Sequence, residues 1–275
     1  MRVRFSFSSR KTGQLDRHSQ HRIEYPKLVL DLITDADIIL EVLDSRFIEK
    51  MRNEEFEKFV TKSGKKIIYV FNKVDLADIT QILKTVEISS LKPHVFVSCR
   101  VRRGIGELRK KIKIESKKLQ LDRDTKVGVI GYPNTGKSSV INMLIGKSSA
   151  ATASQAGWTK GIQKLRLSES ILLLDTPGVI PEKHYGFEKD QIFRQAEIGV
   201  RDYHRVKEPE MIIHQLMKKY PGAFEKFYNL DVKGDSELLI EELGKKHHLF
   251  IKGGEVDIDK TARKILKDWQ EGRIK

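Results

Sequence analysis

Residues 126–146 constrain the fold more tightly than any other part of the chain. Lys126-Val127-Gly128-Val129-Ile130-Gly131 has the apolar, β-branched character of a buried strand. Gly131-Tyr132-Pro133-Asn134-Thr135-Gly136-Lys137-Ser138 follows as a glycine-bounded loop, and the run from Ser138 to Ile145 reads as a helix closed by Gly146. The loop fits G-x-x-x-x-G-K-[ST], and strand, loop and helix occur in register, which argues against a chance match in a solvated turn. Such a loop curls consecutive backbone N–H groups around phosphate oxygens at a helix N-terminus. Asn134, Thr135, Gly136, Lys137, Ser138 and Ser139 would line it, with Lys137 bridging the β and γ phosphates and Ser138 ligating magnesium. The loop alone does not name the base.

The rest of the chain supplies a setting for that unit. The apolar run Ile38 to Leu43, a charged segment Glu49 to Lys62 with Phe56, Phe59 and Val60 at helical spacing, and the blocks KKIIYVFN, ITQILKTV and HVFVS alternate in type. A basic helix through Ile105, Leu108 and Ile112 follows, and IQKLRLS and SILLLDT read as paired strands. The alternation predicts an α/β fold with a mostly parallel sheet covered by helices on both faces. Beyond Pro181 helices take over: Glu208 to Lys219, Ser236 to Lys246, and Asp259 to Gln270. In the last of these Ala262, Ile265, Leu266 and Trp269 share one face, and Asp257 or Asp259 can cap its start. The expected organisation is a basic arm over 1–27, an α/β domain over 28–190 and a small all-α domain over 191–275.

Three further motifs name the base and the switch. Asn72-Lys73-Val74-Asp75 follows a buried-strand pattern and reads as N-K-x-D. Asp75 would accept hydrogen bonds from guanine N1–H and its exocyclic amine, which adenine cannot provide; Asn72 would contact N7 and brace the loop, and the Lys73 stem would cover the base. On its own the tetrapeptide is as readily a surface turn; together with the phosphate loop it indicates GTP. Asp175-Thr176-Pro177-Gly178 matches D-x-x-G, in which Asp175 holds magnesium through water and the Gly178 N–H reads the γ phosphate. Thr159 lies where a switch threonine closes on magnesium and the γ phosphate. Ser98-Cys99-Arg100 resembles the S-A-K loop whose backbone reads guanine O6; cysteine for alanine leaves that N–H in place.

Ordinary small GTPases run phosphate loop, switch threonine, D-x-x-G, N-K-x-D and S-A-K. Here N-K-V-D and S-C-R come first, so the domain is circularly permuted. With the C-terminal stretches KKYPGAFEKFY and KGGEVDIDKTARKILKDW, the chain from about Asp37 to Arg273 resembles the YlqF/RbgA family of circularly permuted ribosome-assembly GTPases. The resemblance implies a Ras-like six-stranded P-loop domain followed by a helical domain, hydrolysis of GTP to GDP and phosphate, and binding to the large ribosomal subunit or its precursor. It also implies two catalytic aids. Asn134 corresponds to an asparagine that lets related GTPases bind potassium beside the phosphates; otherwise it is a loop residue with no metal role. His21 falls near a histidine that positions water in bacterial members, although their preceding Pro-Gly is absent; otherwise it is a solvated histidine on a basic arm. Val179 occupies the position of the water-orienting glutamine, which predicts slow intrinsic hydrolysis and activation from elsewhere.

Charge agrees with a polyanionic partner. The chain has 52 Lys and Arg against 38 Asp and Glu, a net charge of +14, and residues 100–126 hold eleven basic against four acidic side chains. This predicts contacts to rRNA phosphate and shape rather than to base edges. The adjacent histidines His247 and His248 diverge on a helix and are not read as a metal site. No apolar run is long enough to cross a bilayer, and one cysteine excludes an internal disulfide. The expectation is a cytoplasmic protein, monomeric off the ribosome, with a mitochondrial transit reading of the Arg/Ser-rich start as the alternative. Two other classes fit parts of the pattern: an RNA-binding scaffold whose fold GTP merely orders, and an RNA-modification GTPase, for which no accompanying domain is visible.

Overall fold

The structure is a computed structural model that describes residues 30–52, 54–85, 87–146, 163–175 and 189–274. Six strands form one sheet: β1 Ile38–Asp44, β2 Lys66–Asn72, β3 His94–Phe96, β4 Thr125–Ile130, β5 Gln163–Ser168 and β6 Ile171–Asp175. Their spatial order is β3-β2-β1-β4-β6-β5. All neighbours are parallel except β5, which runs antiparallel to β6 as the paired-strand reading expected. Every residue of β1 is buried, consistent with a central parallel strand covered on both faces.

The helices of the sheet domain are α1 Ile48–Met51, α2 Glu54–Lys62, α3 Ile79–Thr85, α4 Ile105–Lys118 and α5 Lys137–Ile145, with a helical turn over 30–35 before β1. On one face, Leu108 and Ile112 of α4 and Val140, Ile141 and Leu144 of α5 pack against Leu40, Val42, Val70 and Val129. The charged segment Glu49 to Lys62 is two helices, because Arg52 turns to extended backbone (ψ 140°) after α1. Its guanidinium then grips Glu57 at 2.6 and 2.9 Å.

Among the described residues five α-helices follow: α6 Lys189–Glu197, α7 Pro209–Lys219, α8 Ala223–Tyr228, α9 Ser236–Lys246 and α10 Ile258–Gln270. Asp257 caps α10 by accepting from the Lys260 N–H at 2.9 Å, whereas Asp259 pairs with Arg263. Helix α8 has six residues, too few to show a period in the sequence. Trp269 is the centre of this layer: its ring stacks on Phe224 at 5.7 Å and its indole N–H donates to the Glu197 carbonyl at 2.8 Å. The cluster around it includes Leu43, Phe47, Tyr69 and Phe71, so the helical layer and the sheet share one core.

Parallel pairing brings the carboxyl ends of the strands to one edge. Asp44 lies opposite Asn72, and Asp175 opposite Val129, one residue before the end of β4. Open α/β sheets bind ligands outside that edge. The permuted motifs therefore meet in space although 58 residues separate Asn72 from Ile130 in the chain.

Candidate nucleotide site

The phosphate loop leaves β4 and enters α5 at Lys137. Lys137 is buried, and its ammonium donates to the carbonyls of Tyr132 at 2.9 Å and Gly131 at 3.1 Å, back across the loop. The Thr135 hydroxyl donates to Tyr132 O at 2.9 Å. Tyr132, read from the sequence only as a loop residue, is buried in the core shared with the helical layer. Asn134 adopts φ 63°, and its amide nitrogen donates to Gly199 O at 2.8 Å, a tie to the segment after α6. Ser138 and Ser139 occupy the first turn of α5, half-buried.

The N-K-V-D loop is held against this one. The Asn72 amide nitrogen donates to Thr135 O at 2.8 Å, while its buried oxygen has no hydrogen-bond partner among the described residues. The contact is close enough to require glycine at 136: a Cβ there would meet Asn72 Nδ2 at 2.3 Å, and φ is already +93°. The Ser98 hydroxyl donates to Asp75 Oδ1 at 2.6 Å and accepts from the Val101 N–H, so the S-C-R loop orients the carboxylate. Burial, with Asp75 nearby, pushes the Cys99 thiol up to about 11 and keeps it protonated.

Lys73 sits in left-handed backbone (φ 60°), and its ammonium pairs with Asp44 at 2.8 Å. Asp44, fully buried, also receives Nε and a terminal nitrogen of Arg46 at 3.0 and 2.8 Å. Burial alone would raise this carboxyl; Lys73 and Arg46 outweigh it and hold it down at about 2. Arg46 further donates to the carbonyls of Trp269 and Gln270, both at 3.2 Å, joining the end of β1 to the end of α10. Sequence reading missed Asp44 and Arg46. Their signal was an acid at the end of a strand apolar but for Glu41, in register with Asn72, and a base two residues further on.

Asp44 contributes stability in the charged form. Its pKa is depressed on folding, so the contribution is complete above the ordinary carboxylate value of 3.8 and is lost as pH falls through about 2. Asp44→Asn leaves two cations facing a neutral amide, and urea unfolding near neutral pH should show a loss of about 3 kcal/mol. That gap should narrow as pH is lowered from about 5 toward 2.

A cleft of about 830 Å³ runs between these loops, lined by Asn72, Lys73, Asp75, Cys99, Asn134, Gly136 and Ser139. Asp175 ends β6 at the same sheet edge. His21, Thr159, Gly178 and Val179 lie outside the described residues. Among the described residues no group of three or more His, Cys, Asp or Glu could hold a metal ion. The donors expected for magnesium, a serine hydroxyl and a carboxylate, are hard oxygen ligands suited to it.

Sheet order, phosphate loop and neighbouring base loop together define a P-loop GTP-binding fold with circularly permuted motifs. Residues 126–239 match the family model described as a 50S ribosome-binding GTPase. GTP-binding protein MJ1464 of Methanocaldococcus jannaschii is 37% identical over 254 residues, 92% of this chain and 66% of that protein. Nucleolar GTP-binding protein 2 of Saccharomyces cerevisiae is 33% identical over 250 residues, 88% of this chain and 50% of that protein. The GNP-bound structure of YlqF from T. maritima superposes with a TM-score of 0.62 at 26% identity, covering 91% of this chain and 94% of that one. The chain belongs to this YlqF-type family of GTP-binding proteins. It spans about two thirds of the archaeal relative and half of the yeast one.

Proposed function

We propose that the chain is a GTP hydrolase that binds the large ribosomal subunit or its precursor in the GTP form and is released on hydrolysis. The observation that carries this reading is the Asn72 to Thr135 hydrogen bond, together with Ser98 on Asp75. These contacts hold the guanine-reading loops and the phosphate loop as one cleft despite their separation in the chain. The description of the matched family model and the nucleolar relative support a ribosomal partner.

In this reading Asn72, Lys73 and Asp75 hold guanine, and the backbone of Ser98 and Cys99 reads O6. Asn134 through Ser139 cradle the phosphates, and Gly178 contacts the γ phosphate. Ser138, Thr159 and Asp175 hold magnesium, which neutralises charge on the phosphates. Asn134 commits its nitrogen to Gly199, which leaves its oxygen for a potassium ion. His21 positions water. The division into 28–190 and 191–275 belongs to the same proposal. So do a cytoplasmic setting and a monomeric state; no described helix is long and apolar enough to cross a membrane. For rRNA, α4 presents Lys110, Lys113, Lys117 and Lys118 to solvent, whereas Arg109 turns inward to the carbonyls of Met143 and Leu144.

Single-turnover GTP hydrolysis in potassium and in sodium, with and without purified large subunits at matched ionic strength, tests the reading. Stimulation by subunits of at least about tenfold is expected, since the glutamine position holds valine and activation must come from outside. Subunit binding strengthened by GTP with unchanged turnover would instead favour a GTP-ordered RNA-binding scaffold.

A further inference from the structure

The cleft has a wall that the motifs do not supply. Tyr203 and His204, between α6 and α7, line it together with Lys267 and Gln270 of α10. Their rings lie 4.0 Å apart between centroids at 35°, with His204 exposed and Tyr203 half-buried behind it.

This step is firmly built. The Gln270 side chain accepts from the Tyr203 N–H at 3.1 Å and donates to the carbonyls of Ala196 and Arg201, both at 2.9 Å. Arg263 donates to Tyr203 O at 2.7 Å, and the His204 N–H donates to Asp202 at 2.9 Å. Both ends of the wall reach the nucleotide loops. Gly199 O holds Asn134 of the phosphate loop. At the far end the chain after α10 presses on the residue following Asp75, where a Cβ at Gly272 would meet Leu76 Cδ1 at 2.5 Å.

A nucleoside gripped at its edge by Asn72 and Asp75 turns a flat face to whatever else lines the cleft. Aromatic rings in a nucleotide cleft cover such a face without reading its sequence of donors and acceptors. We propose that His204, backed by Tyr203, is a stacking wall for the nucleoside part of the bound nucleotide. The helical layer thereby touches the ligand directly. This rests on the proposed GTP site and adds to it a contact from outside the sheet domain.

The test is the affinity of the full chain for GDP, for guanosine and for inorganic tripolyphosphate, which has no nucleoside. His204→Ala, at an exposed position, should weaken GDP and guanosine by about fivefold to tenfold and leave tripolyphosphate unchanged, while His204→Phe restores GDP binding. In His204→Trp the introduced indole should change its emission when GDP is added. Parent-like GDP affinity in His204→Ala, or an equal loss for tripolyphosphate, overturns the wall. Absence of GDP binding in the parent itself overturns the site reading beneath it, so the two failures are distinguishable.

Discussion

Lys137→Ala should reduce affinity for GTP by about thirtyfold or more, measured by equilibrium titration with a fluorescent GTP analogue. Lys137 is the first residue of α5 and is buried, with its ammonium directed over the carbonyls of Gly131 and Tyr132. A triphosphate in the loop would be met there by a desolvated cation, and removing one partner of such a pair costs about 2–5 kcal/mol. The alanine variant should fold, since α5 is held by Val140, Ile141 and Leu144 in the core rather than by the lysine. The loss should be larger for GTP than for guanosine, which carries no phosphate. Parent-like GTP affinity would remove the phosphate site from this loop.

Asp75→Asn should cost a comparable factor in a different currency, the choice of base. The carboxylate is fixed by the Ser98 hydroxyl at 2.6 Å, so its geometry toward a base is set before ligand arrives. An amide at that position offers a donor where guanine presents two donors of its own. Affinity for GDP should fall about a hundredfold while affinity for xanthosine diphosphate, with a carbonyl in place of the exocyclic amine, rises. Unfolding should change little. Retained preference for guanine over xanthine would undo the assignment of Asp75.

What could be read in advance follows the range over which each interaction acts. The phosphate loop, N-K-V-D and S-C-R are local patterns, and the sheet order places all three at one edge. The basic helix through Ile105, Leu108 and Ile112 and the helix Ser236 to Lys246 were equally visible, because an apolar stripe is a local signal. Helix α8 was not, being shorter than two turns, and neither was the break at Arg52, where the backbone turns extended and the guanidinium pairs with Glu57. The joints were also hidden. Arg46 reaches carbonyls more than two hundred residues away, and Gln270 collects three backbone groups from 196 to 203. Such side chains look like ordinary surface polar residues until tertiary packing is known. The tie from the Asn134 amide nitrogen to Gly199 O is equally invisible in the sequence, and the potassium role of its oxygen remains a proposal. His21, Thr159 and Gly178 remain proposals carried by motif and resemblance.

The permuted order also shapes how the molecule comes into being. During synthesis β1, β2 and the N-K-V-D loop emerge before β4, yet β1 completes its pairing only with β4, Ile38 against Val127. That closure spans about 90 residues, and contacts of such range form late. Until β4 and α5 have emerged, Asn72 lacks Thr135 and no cradle for phosphate exists. A nucleotide held by both loops could not assist this nascent half; it would favour only a chain whose sheet has closed, by binding the native state and not its precursors.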